Sequence, residues 1–146
     1  MEIMKQCLCR KVGKLFEYAA QQHCHEITFC KQFLTSNTCK KLLAMDETLI
    51  SQSYLYLWHD IEKEFPVSHN NETAFPDAMY WAGYLFMYWC FLEKISGKEF
   101  INEYDIRWIL ENYEIFHTLS TRTAIREIKE SGKIADQILE KAGIKK

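Results

Sequence analysis

An all-α fold, arranged as one domain over residues 1–146, is what this sequence predicts, and three observations predict it. Apolar residues recur at intervals of three and four along nearly every stretch of the chain. No run alternates apolar with polar at period two, and no Asn-Gly hairpin turn occurs. Residues 78–92, AMYWAGYLFMYWCFL, are fifteen consecutive apolar or aromatic positions between Asp77 and Glu93, seven of them aromatic. A segment apolar on every side must be enclosed on every side, which makes it the central helix, at about 78–95, of seven or eight. At about 1.5 Å per residue it reaches only about 22 Å, against the roughly 30 Å hydrocarbon core of a bilayer, so no membrane contact is expected.

The elements follow from spacing and caps. Ile3, Met4, Cys7, Leu8, Val12, Leu15, Phe16 and Ala19 form the stripe of a first amphipathic helix, with Lys5, Arg10, Lys14 and Glu17 on its wet side. Gly13 lies inside it at a cost of about 1 kcal/mol. A second helix spans about 25–34, and a short third one follows Ser36 or Asn37 through Cys39, Leu42 and Leu43. Residues 51–64 repeat the pattern and stop before Pro66, because the residue ahead of a proline resists helix. Both prolines fall in 66–77, PVSHNNETAFPD, a loop that separates an N-terminal half, 1–65, from a C-terminal half, 78–146. Asp77 is a suitable N-cap for the aromatic helix. Ser96 and Glu99 read as a capping box, Asp105 caps a helix over Ile106–Ile115, and Ser120 caps one over Ala124, Ile125 and Ile128. Gly132 breaks that helix, and a last one over Ile134, Ile138 and Leu139 ends before Gly143.

Composition narrows the function classes. The chain is 48% hydrophobic and 14% aromatic with a net charge of −2, so no global field attracts nucleic acid. Residues 1–50 carry seven Lys or Arg against five Asp or Glu, and residues 51–100 carry three against seven. The first residues show no signal-peptide pattern, so six reduced cysteines and a cytoplasmic location are expected. The Asn71 sequon is then without consequence.

No constellation with catalytic spacing emerges, and a non-enzymatic protein without cofactor or metal is expected. Cys7 with Cys9, and His23 with His25, are two apart, so on a helix each pair points to opposite sides and shares no ion. Cys7 reads as a core residue, with Cys7, Cys30 and Cys90 the slowest to react. His117 is placed to cap helix-end carbonyls. No nucleophile elbow, phosphate loop, dinucleotide fingerprint or H-E-x-x-H occurs. In projection, Tyr80, Tyr84 and Tyr88 advance by about 40° per step along one ridge of the central helix. Ala82, Gly83 and Cys90 form a small-residue flank that admits a close neighbour. Three hydroxyls on one ridge need polar company, from core partners at the rim or from a groove or pocket. Residues 120–142 have a helix–Gly–helix outline, with Lys133, Asp136, Gln137, Glu140 and Lys141 on the second helix. A DNA-binding regulator is therefore the alternative, although that surface is mixed in sign.

KLFEYA (14–19), FCKQFLTSNTCKKL (29–42), YWAGYLFMYW (80–89) and EIFHTLSTRTAI (114–125) resemble segments of a group of small bacterial cytosolic proteins, which in turn resembles the antitoxin or accessory components of toxin–antitoxin loci. That group has an Arg ahead of its final Tyr-Trp, where this chain has Met87. The resemblance implies no catalytic residues. With it, the absence of a catalytic constellation and an aromatic surplus beyond the needs of one small core point to an antitoxin-like module that masks a partner protein, a toxin in such loci, through a helical surface. The residues expected on that surface are Tyr80, Tyr84, Tyr88, Lys5, Arg10 and Lys14.

Overall fold

The computed structural model describes residues 1–66 and 75–141, with side chains up to residue 131. Ten helices and no strand occur among these residues, and most of the helices share one hydrophobic core. In order they are α1 (Ile3–Gln21), α2 (Glu26–Thr35), α3 (Asn37–Leu43), α4 (Glu47–Ile50), α5 (Tyr54–Glu64), α6 (Pro76–Glu93), α7 (Gly97–Glu103), α8 (Ile106–Glu111), α9 (Tyr113–Phe116) and α10 (Thr121–Lys141). No helix of the described residues is long and apolar enough to cross a membrane. Residues 67–74, which include the Asn71 sequon, and Gly143 lie outside the described residues.

The central pair is α1 and α6. They run antiparallel: Lys5 lies over the Phe91 ring, whereas Gly13 faces the Tyr80 ring. The small flank of α6 receives α1, with Gly83 against the Phe16 ring and the Val12 carbonyl. Phe16 in turn meets Phe29 and Phe33 of α2 edge-on, at 5.1 and 5.2 Å between centroids. On its other side α6 places Trp89 and Phe86 against Phe100 of α7.

Most caps match the sequence. Ser36, Ser53, Asp105 and Ser120 each accept a backbone N–H of the helix they open, and Ser96 with Glu99 forms the full capping box. His25 caps α2 through Nδ1.

Four expectations need correction. Phe75, and not Asp77, is the N-cap of α6: Pro76 takes the first helical position, where its fixed φ fits and its missing N–H costs nothing. Asp77 falls in the first turn instead. The helix expected over Ile106–Ile115 divides at Asn112, whose side-chain amide donates to the Trp108 carbonyl at 2.8 Å. With α4 this raises the count above the expected eight. Gly132 interrupts nothing; α10 runs through it, so the helix pair of 120–142 is one helix over Thr121–Lys141. The side chains expected on its second half, from Lys133 to Lys141, lie outside those described. Finally, the buried face of α1 is Leu8, Cys9, Val12, Gly13, Leu15, Phe16, Ala19 and Ala20. Ile3 and Met4 are 79% and 58% exposed and Cys7 is exposed. Cys9, Gly13 and Ala20 are small, so α6 approaches on their side and the buried arc rotates away from Ile3 and Cys7.

Three helices end without glycine. His23, Met45 and Lys94 take positive φ of 59°, 58° and 55°. The next residue in each case, Cys24, Asp46 or Ile95, donates its N–H to the carbonyl five back, at 3.0–3.1 Å. This is the closing bond of a Schellman turn, with a side chain where glycine is usual.

Candidate functional site

Close contact of α1 and α6 at Gly13 and Gly83 leaves a cleft on the flank where both helices carry larger polar groups. Arg10 and Glu17 of α1 line one wall, and Asp77, Tyr80, Trp81 and Tyr84 of α6 line the other. Tyr113, His117, Leu119 and Thr121, from α9 and the start of α10, close one end. The cleft is open to solvent and has a volume of about 660 Å³.

The tyrosine ridge divides. Tyr80 and Tyr84 are half-buried and line the cleft. Gly13 is what allows the Tyr80 ring to lie flush on α1, since a Cβ there would stand 2.9 Å from it. Tyr88 is buried, stacks on Tyr84 at 6.1 Å, and accepts a hydrogen bond from Arg122 Nε at 3.0 Å. Tyr88 therefore joins α6 to α10 and does not line the cleft. Of the basic residues, only Arg10 lies on it. Lys5, expected on the wet side, is half-buried, 5.5 Å above the Phe91 ring, because it sits on the α6-facing arc of α1. Lys14 is exposed, away from the cleft. Met87, at the position where the resembled group has Arg, is fully buried.

The cleft has polarity. Arg10 and Glu17 are seven residues apart on α1, as are Tyr84 and Asp77 on α6, and the helices are antiparallel. A cationic end at Arg10 and Tyr84 thus lies about 10 Å from an acidic end at Glu17 and Asp77. Burial raises the Tyr84 phenol, while Arg10 works against that rise. Burial also raises the Tyr113 phenol, and the Asp77 and Glu114 carboxylates push it the same way. Trp81 meets Tyr113 edge-on at 5.5 Å, and Tyr113 stacks on the His117 ring at 4.3 Å. His117 Nδ1 bonds the Tyr113 carbonyl at 2.8 Å, the expected helix-end cap. A carbonyl only accepts, so Nδ1 carries the hydrogen of that contact.

Tyr113, Glu17 and Trp81 escaped sequence reasoning as site residues. The spacing puts Glu17 on the polar face of α1, but which helix lies beside that face is a tertiary fact. Among the described residues no three His, Cys, Asp or Glu converge as metal ligands. Comparison with family models, curated proteins and solved structures finds no match to this chain.

Proposed function

We propose that this chain is a non-enzymatic, antitoxin-like module that masks a partner protein along the α1–α6 cleft. The observation that carries this reading is the pair Tyr80 and Tyr84, half-buried in an open cleft beside Arg10. Tyr, Trp and Arg supply most of the energy at protein interfaces, and here all three occur together on accessible surface. The segments that resemble toxin–antitoxin components favour a toxin as the partner. Six thiols without a disulfide fit a cytoplasmic setting.

Tyr80→Phe and Tyr84→Phe keep volume and remove a hydroxyl, so they test the cleft; Tyr88→Phe is the control. The expected result is weaker capture of a specific protein by one or both cleft variants, at an unchanged melting temperature. Truncation to Ala at either position is expected to cost about 2 kcal/mol of binding, roughly thirtyfold. Tyr88→Phe should instead lower stability by about 1 kcal/mol through loss of the Arg122 bond and leave capture intact. Capture unaffected by every cleft substitution, or retention of promoter DNA with steep salt dependence, would overturn the reading.

A further inference from the structure

We infer that the acidic end of the cleft receives a cation borne by the docked protein, the guanidinium of an Arg or the ammonium of a Lys. The inference rests on the protein-binding reading above and names the chemistry of its partner. Asp77 and Glu17 line the cleft, and neither carboxylate has a hydrogen-bond or ion-pair partner among the described residues. Three further groups at that end favour positive charge. The Tyr80, Trp81 and Tyr113 rings attract cations through their faces. An apolar occupant would cover two charges and satisfy neither. An anion would be repelled there and drawn to Arg10.

A side chain of a protein fits better than a bare metal ion or a small free cation. No three ligands converge for a metal among the described residues, and the cleft continues from the acidic end to Arg10. Its two ends are separated by about 10 Å, which matches residues seven apart on a helix or three apart on an extended strand. The occupant thus carries a basic residue over Asp77 and Glu17 and an acidic one toward Arg10. Leu119 on the rim adds apolar contact for the stem of the basic side chain.

The first arm of the test titrates the whole chain with N-acetyl-arginine amide and with the neutral isostere N-acetyl-citrulline amide, followed by amide chemical shifts. Saturable shifts confined to the cleft are expected with the arginine probe, and binding about tenfold weaker with citrulline. Asp77→Asn and Glu17→Gln should each weaken the arginine probe by about three- to tenfold, whereas Arg10→Gln should leave it unchanged or tighter. Melting temperatures report whether each variant folds, and the two carboxylates on different helices guard against failure of one. Equal affinity for both probes overturns the inference.

The second arm measures capture of the protein whose binding depends on Tyr80 or Tyr84. Loss of capture in both Asp77→Asn and Glu17→Gln is the expected result. Capture that needs the tyrosines and ignores both carboxylates overturns the inference and leaves the protein-binding reading in place. An arginine probe that binds the cleft, when no captured protein depends on any cleft residue, overturns both and assigns the site to a free small cation.

Discussion

Lys94 sits at φ 55° with its side chain exposed, so the strain of the left-handed backbone is uncompensated by burial. Lys94→Gly is expected to stabilise the fold by about 0.5–1 kcal/mol, the left-handed penalty less the extra chain entropy of glycine, which for this size is about 2–4 °C in melting temperature. A thermal scan checks it, and a lower melting temperature would show that the Lys94 side chain makes a contact worth more than its strain. The cysteines are the second residue-scale matter. Burial pushes the Cys9 and Cys90 thiols up to about 12 and Cys24 to about 11, and it raises Cys30 and Cys39 strongly. Cys7 is the exposed thiol. The expected order of alkylation is therefore Cys7 first by a wide margin and the other five together at the rate of unfolding, read by mass spectrometry of the folded protein. Cys30 and Cys90 keep their expected protection, and Cys7 loses it to the rotation of the buried arc.

At the scale of elements, Gly13 and Gly83 lie where α1 and α6 touch, while the ends of α1, α3 and α6 carry His23, Met45 and Lys94. Gly83→Ala would set a Cβ 2.8 Å from the Val12 carbonyl, a backbone atom that cannot swing aside. A loss of about 1–3 kcal/mol is expected. Gly13→Ala meets only the outer atoms of the Tyr80 ring, which can turn into the cleft. The helix preference of Ala, about 1 kcal/mol, offsets that shift, so denaturant melts should place this variant near the wild type. The same inversion explains what was legible. Caps with a side-chain acceptor, Ser36, Ser96, Asp105 and Ser120, announce themselves because a local hydrogen bond makes them. Helix C-termini usually announce themselves through glycine, so Gly132 reads as a break, although α10 continues through it. The small flank of α6 was legible as a docking face; that α1 is the helix it receives was not. The division of the tyrosine ridge depends on Arg122, thirty-four residues away, and no periodicity within α6 contains it.

At the scale of the molecule, Glu93, outside the cleft, ties together separate helices of the C-terminal half. Its Oε1 accepts from Trp89 Nε1 at 2.9 Å and from the Tyr104 hydroxyl at 3.1 Å, and its Oε2 pairs with Lys129. Three elements meet there: the end of α6, the residue that ends α7, and α10. Burial alone would raise the Glu93 carboxyl, but the hydrogen bonds from Lys129, Trp89 and Tyr104 outweigh it and hold the group below its ordinary 4.5. The same contact works in reverse on Tyr104, whose phenol is raised to about 12 by burial and by Glu93. A carboxyl depressed in the folded state stabilises at neutral pH and loses that contribution as pH falls from about 4.5 through the lower folded value. Glu93→Gln is expected to cost about 1–2 kcal/mol at pH 7. The gap to the wild type should narrow in melts taken below pH 4.5. A gap that stays constant with pH would mean the carboxylate charge contributes nothing.

Cys7, alone in solvent among six thiols, makes the folded chain monovalent toward oxidants. Two copies can be joined through it, and a third has nowhere to attach, so a non-reducing gel of air-oxidised protein should stop at the dimer and Cys7→Ser should abolish even that. The same singularity has a practical use. Arg10 Nη2 lies 3.2 Å from the Cys7 sulfur, so a maleimide dye on the unaltered chain would stand beside the cationic mouth of the cleft and report by its emission when something enters.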